Sequence, residues 1–309
     1  MSSSIYDFLR KEGVSEAIIS DILHFRDYYK ISEDVKDRIP TPQYSYYGKD
    51  VWEEAASALL AGENLLLTGP KATGKNVLAQ GLSLAFGRPE WDISMYINTD
   101  ASSLIGADTF KNGEVTLREG PILRCAEEGG FGVLDEINMA KNESLAVLHA
   151  TLDFRRAIDI PGYKRVPLHE ATRFIGTMNY GYAGTREINE ALASRFMIIK
   201  MPVISDENLE KLILDQYPDI REEYAKQFTT LFGDIRRKCE GGEVSTKALD
   251  LRGLLAAIGL MKRDLGAVRA LNLGIVNKCF DDYERQLIED MITVRFPGDL
   301  TRDKIFKTV

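Results

Sequence analysis

A short apolar run at 64–68 (NLLLT) leads straight into the loop 69–76 (GPKATGKN), and Val77, Leu78, Leu82 and Phe86 then mark a helical pattern that stops at Gly87. Strand, GxxxxGK loop and helix in that order leave few folds open, because the chain must pass from a strand into a covering helix through a loop shaped around an anion. Gly69 and Gly74 let backbone amides curl around phosphate oxygens. The helix start adds its positive dipole end, and Lys75 neutralises the outer phosphates. A plain glycine turn before a helix accounts for the glycines but gives no reason for a lysine at that offset. The candidate nucleotide-binding residues are therefore Gly69, Pro70, Lys71, Ala72, Thr73, Gly74, Lys75, Asn76 and Val77. Asn76 is a departure, since a Ser or Thr hydroxyl normally reaches Mg²⁺ from that position. Its amide oxygen can accept from a metal-bound water or ligate the ion, with different reach and basicity.

Two later segments carry complementary chemistry. The apolar stretch 130–134 ends in Asp135-Glu136. A carboxylate at the carboxyl end of a parallel strand lies in the crevice where ligands bind. Asp135 is the expected holder of the Mg²⁺ shell and Glu136 the group expected to polarise the attacking water. A further strand at 172–177 delivers Asn179, whose neutral amide can orient that water without adding the negative charge of another carboxylate.

The rest of the chain reads as frame. Apolar residues at helical spacing (Ile5, Phe8, Leu9, then Val14, Ile18, Ile22, Phe25) predict two short amphipathic helices before Pro40 and Pro42 break the pattern. Strands are expected at 64–68, 91–98, 130–134, 172–177 and 196–201, the second with Trp91, Ile93, Met95 and Ile97 on one face. Beyond Pro202 only helices are expected, at 207–216, 221–238, 245–263, 267–281 and 282–293. The organisation is thus an N-terminal helical segment (1–42), an α/β core (43–203) and a helical domain (204–309). Forty-seven acidic against thirty-nine basic residues give a net charge of −8, which argues against a chain whose main partner is nucleic acid or an anionic membrane. The longest apolar run, 253–261, is far shorter than the roughly 20 residues a membrane helix needs. The N-terminus lacks a basic stretch followed by an apolar one, so a cytoplasmic protein is expected. Cys125, Cys239 and Cys279 suit reduced thiols, and His24, His149 and His169 are too scattered for a histidine metal site.

Taken together, these motifs resemble the AAA+ ATPases, and within them the MoxR-like branch, which includes the nitric-oxide-reductase and rubisco activators and lies close to the dynein and midasin modules. The resemblance covers roughly half the chain, from about Tyr46 to Arg195. Ser102 to Gly106 followed by 110–117 and EGPI at 119–122 is similar to the family's helix-2 insert, with Asn112-Gly113 as its hairpin turn. Residues 154–166, turning at Pro161-Gly162, look like the hairpin before the sensor strand. GTMNYGYAG at 176–184 is similar to the sensor segment, and EALASRF at 190–196 to the helix end that carries the arginine finger.

The resemblance implies a P-loop NTPase core, a three-layer αβα arrangement on a parallel sheet, followed by an all-helical lid. It implies that ATP and Mg²⁺ are bound and that subunits form a ring, expected to be a hexamer. Arg195 would then reach into the neighbouring subunit's site, with Arg186 a weaker candidate for the same interface. The second sensor is open between Lys247, which follows Ser245-Thr246 where the family places an arginine, and Arg252. Adenine would pack near Tyr46, Tyr47 and Gly48, for which a core role is an equally open reading. The expected function is an ATPase that remodels or activates a partner protein, a metal-enzyme or von Willebrand A-domain protein in this family. The alternatives are a nucleic-acid motor using Arg155, Arg156, Lys164 and Arg165, a GTP-preferring relative on the same fold, and a nucleotide-gated scaffold with weak turnover.

Overall fold

The computed structural model describes residues 4–111, 113–179 and 187–307. The chain divides into two compact units, one made of Met1–Pro70 and Gly74–Pro202, the other of Val203–Val309 grouped with Lys71–Thr73. The first unit is built on β1 (Leu65–Thr68), β2 (Glu90–Ser94), β5 (Phe131–Asp135), β8 (Arg173–Met178) and β9 (Met197–Lys200), in the order β2-β5-β8-β1-β9. Every neighbouring pair in it is parallel. Two hairpins stand apart from this sheet, one pairing β3 (Gly106–Lys111) with β4 (Glu114–Glu119), the other β6 (Ala157–Ile158) with β7 (Val166–Pro167). Asn112 of the first hairpin's expected turn lies outside the described residues.

Both faces of the sheet are covered at its central strands, which is why β1 and β5 read as unbroken apolar runs. Side chains alternate between the two faces. Leu65, Leu67, Val133 and Ile175 join one cluster with α1 (Ile5–Lys11), α2 (Glu16–Tyr28), α3 (Lys49–Leu60) and α4 (Lys75–Phe86). Leu66, Leu134 and Phe174 join the other, with Ile122, Leu123, Leu148 and Leu192. This is the expected αβα core. The N-terminal helices belong to the first cluster through Leu9, Ile19, Ile22 and Phe25, and Tyr6 Oη donates to Ala85 O at 2.7 Å. The buried Arg88 binds the segment after α2, donating to Tyr29 O at 2.6 Å and to Gly129 O at 2.7 Å.

One strand is shorter than its apolar alternation suggests. Trp91, Ile93 and Met95 are buried, yet β2 stops at Ser94 and Ile97 is 49% exposed. Its partner β5 ends at Asp135, and Thr99 Oγ1 accepts from Tyr96 N–H at 2.9 Å, turning the chain away.

The second unit is helical in its regular elements. Its main helices are Asp206–Gln216, Glu222–Glu240, Leu251–Met261, Ala267–Gly274 and Asp282–Arg295. Phe228 stacks on Phe296 at 4.8 Å between ring centroids. The expected helix at 245–263 starts six residues late. Ser245 gives its backbone N–H and its hydroxyl to the Glu284 carboxylate, at 2.8 and 2.7 Å, and Asp250 caps the helix by accepting from Gly253 N–H at 3.1 Å. A good cap defines a start more firmly than the apolar pattern upstream of it. Similarly, the helix expected over 267–281 ends at Gly274 and is followed by a 3₁₀ turn at Val276–Lys278.

Candidate nucleotide site

The parallel order places the carboxyl ends of β5, β8 and β1 on one edge of the sheet, and each candidate residue from the three motifs is attached there. Leu67 lies opposite Thr177 in the β1–β8 register, and Leu134 opposite Gly176 in the β5–β8 register. From β1 the chain enters the loop, where Ala72 (φ 62°) and Gly74 (φ 80°) are left-handed. Gly74 stands directly before α4, whose first N–H groups have no helical acceptor.

Lys75 is the first residue of α4 and is 7% exposed. Its ammonium donates to Gly69 O at 3.0 Å and Pro70 O at 2.8 Å. Burial lowers its pKa to about 8, an effect that the Asp135 and Glu136 carboxylates partly offset. Both acids therefore act on the lysine across the sheet edge, although they are far apart from it in sequence.

Thr177, which the motif reading passed over, organises the acidic pair. Its hydroxyl donates to Asp135 Oδ1 at 2.6 Å and accepts from Glu136 N–H at 3.0 Å. Glu136 sits at φ 53°, a conformation that costs an L-residue roughly 1–2 kcal/mol. Surrounding bonds hold it there: besides Thr177, its carbonyl accepts from Met139 N–H at 2.8 Å, and its Oε1 accepts from Asn179 Nδ2 at 3.0 Å. Asn179 is fixed in turn, because Asn138 Nδ2 donates to its carbonyl at 2.8 Å. The expected water-polarising acid and the expected sensor amide are thus in direct contact. Thr177 was visible in sequence only as a polar residue near the end of a buried strand.

Among the described residues no group of three or more His, Cys, Asp or Glu side chains forms a metal site of its own. The donors expected from the sequence are the Asp135 carboxylate and the carboxamide of Asn76. That set fits an Mg²⁺ ion that keeps several waters and is carried chiefly by phosphates.

Arg195 follows the short helix Glu190–Ala193. Its guanidinium donates through Nε to His149 O at 3.1 Å, through Nη1 to Ala191 O, and through Nη2 to Asp153 Oδ2 at 3.2 Å. Arg186 and residues 180–184 of the sensor run lie outside the described residues. Tyr46 is buried, its pKa pushed up to about 12 by that burial, and it packs on the phosphate loop. A Cβ at Gly74 would lie 3.0 Å from its ring. Tyr47 meets the Phe8 ring edge-on at 5.3 Å. In the second unit Lys247 is exposed with its ammonium over the Phe280 ring at 5.1 Å. It precedes the helix that begins at Leu251, so it shares no helical face with Arg252.

Residues 64–196 match the AAA domain of the dynein-related subfamily. The chain belongs to that family. It is similar over nearly its whole length to an uncharacterized protein of Bacillus subtilis, YojN, with 33% identity over 287 residues, 91% of this chain and 93% of the relative. An uncharacterized protein of Staphylococcus haemolyticus is 32% identical over 261 residues, 82% of this chain and 98% of the relative. A further uncharacterized protein, from Staphylococcus saprophyticus, is 32% identical over 265 residues, again 82% of this chain and 98% of the relative. The AAA domain is a nucleotide-hydrolysing module, and its members typically assemble into rings. No helix among the described residues is long and apolar enough to cross a membrane.

Proposed function

We propose that this chain is a Mg²⁺-dependent ATPase of the MoxR type, which works as a homo-oligomeric ring, most simply a hexamer, to remodel or activate a partner protein. The contact between Glu136 and Asn179 at the mouth of the phosphate loop carries this reading. A carboxylate held at one oxygen by a neutral amide is oriented to polarise a water with the other, and Lys75 stands beside it to meet the phosphates. Bound Mg²⁺, held through Asp135 and Asn76, would neutralise charge on the phosphates. Arg195 is the candidate finger toward the adjoining subunit's nucleotide.

Replacing Glu136 with Gln removes the base-like oxygen while keeping the size and the hydrogen bond from Asn179. Nucleotide binding should persist while hydrolysis falls by about two orders of magnitude. Turnover equal to that of the parent would remove Glu136 from the mechanism. The same trapped form is the reagent for capturing the client, for which a von Willebrand A-domain protein is the first candidate. Asn76 favours one second reading, a nucleotide-gated scaffold with little turnover. Steady-state hydrolysis of ATP and GTP with Mg²⁺ separates it from the first and decides the base preference as well.

A further inference from the structure

The reading of Arg195 as a finger leaves open how a long, flexible side chain is aimed at a site on another subunit. A guanidinium carries five N–H donors. Three are engaged within the chain, by His149 O, Ala191 O and Asp153 Oδ2, and the side chain is 20% exposed. With respect to the described residues two donors remain, the number that a forked contact with phosphate oxygens uses.

Of the three anchors only Asp153 is charged, and its surroundings are unusual. The residue directly follows the helical turn His149–Leu152 and directly precedes Phe154. Its carboxylate, 13% exposed, also accepts from Arg155: the backbone N–H reaches Oδ1 at 3.0 Å, Nε lies 3.0 and 3.2 Å from the two oxygens, and Nη2 reaches Oδ2 at 2.7 Å. One anion thus sits between two guanidinium groups, which hold its carboxyl well below the usual carboxylate range. Without that charge the two guanidinium groups would lose the counter-ion they share.

We propose that Asp153 is the positioning residue for the finger: it fixes the Arg195 guanidinium through Nη2 so that the two unused N–H groups are presented to the neighbouring subunit's nucleotide. This rests on the reading of Arg195 as a finger acting in trans. An arginine side chain loses up to about 2 kcal/mol of rotamer freedom when fixed. With Asp153 in place that ordering is completed before charge develops on the γ-phosphate, which is how preorganised donors lower a barrier. A neutral residue could not serve equally, because an ionised carboxylate has the acceptor capacity for the forked Arg155 contact and the single Arg195 Nη2 contact at once.

Asp153→Asn tests this, since it keeps shape and one acceptor oxygen while losing the charge. Alone it should lower kcat on the order of ten- to a hundredfold, as small misplacements of catalytic groups do, at unchanged nucleotide Kd. In an Arg195→Ala background it should add less than about a further twofold loss, because groups acting through one another are not additive. Fully additive losses, or a weakened Kd, would show a merely structural role and overturn the proposal. Mixed rings locate the effect. Arg195→Ala subunits combined with Glu136→Gln subunits should recover activity, and Asp153→Asn placed in the Glu136→Gln donor should remove that recovery. No recovery from the parental mixture, with mixed rings shown by native mass spectrometry, sinks the finger reading itself and Asp153's role with it. Recovery that survives Asp153→Asn in the donor sinks Asp153 alone. Should the Asn variant fail to fold, Asp153→Glu, which retains the charge but displaces it, should give a smaller loss of kcat with the same dependence on Arg195.

Discussion

Burying an ammonium costs more than burying any neutral donor, so the surroundings of Lys75 carry information about what it is kept for. Two loop carbonyls accept from it, and burial leaves its pKa at about 8. Polyphosphate oxygens in their place would favour the charged form and raise that pKa. The sign follows. Below pH 8 the lysine is already protonated and binding needs no proton; above pH 8 the free site is neutral and binding must take one up. ATP affinity should therefore be nearly level from pH 7 to 7.5, then weaken by up to about tenfold per pH unit above 8. Calorimetry in buffers of different ionisation enthalpy should register the proton entering. Affinity that stays level to pH 9.5 would show that the ammonium is not linked to nucleotide binding. At this scale the sequence was most legible where the requirement is local. Gly69, Gly74 and Lys75 sit within one loop, and their spacing alone implies an anion. Thr177 and Asp153 were not legible, because each draws its meaning from partners some 40 residues away in the chain, brought together only by the fold.

Elements were legible in proportion to how completely they are buried. β1, β5 and β8 are buried along nearly their whole length, and the sequence places each to within a residue or so, β1 and β5 through unbroken apolar runs. Segments governed by side-chain bonds were not: the apolar pattern before Leu251 suggested helix, whereas Ser245 is claimed by Glu284 and Asp250 starts the helix by capping it. The run at 253–261 also contained a signal that hydropathy cannot register. Gly253 lies in the helix Leu251–Met261 and Gly274 at the end of Ala267–Gly274, and a Cβ on either would sit on the other's carbonyl oxygen. Glycine there costs its helix up to about 1 kcal/mol relative to alanine, and what it permits is contact between the two backbones. Gly253→Ala should accordingly destabilise the helical unit, its overpacking penalty of about 1–3 kcal/mol exceeding the propensity gain. Gly298→Ala, where no atom lies within 4 Å of the added methyl, should leave the unfolding midpoint nearly unmoved. Chemical denaturation of both variants checks this, and an unchanged midpoint for Gly253→Ala would mean that the helices can part without loss.

For the whole molecule, the net charge of −8 excluded little by itself, since a local basic patch can bind nucleic acid on an acidic chain. The four basic residues around the 154–166 hairpin were that patch, and the structure accounts for three of them. Arg155 is forked onto Asp153, Arg156 donates to His169 O at 3.2 Å and Thr172 O at 3.0 Å, and Arg165 lies 3.9 Å from Asp159. Among the described residues only Lys164 of the four makes no such contact. Beside them Phe154 is 92% exposed, an apolar group that suits a protein surface better than a phosphate backbone. Phosphate binding requires cations able to displace the counterions of the duplex, and each one spent on an internal acid lowers the number of phosphates that can be neutralised. The chain should therefore show no retention of double-stranded DNA at about 50 mM salt, with or without nucleotide, where even a modest phosphate-binding surface is at its strongest. Lys164→Ala/Arg165→Ala should change nothing in that assay. Binding at low salt that falls steeply as salt is added, and that the double substitution abolishes, would instead make the hairpin a nucleic-acid contact and the chain's net negative charge irrelevant to the choice of partner.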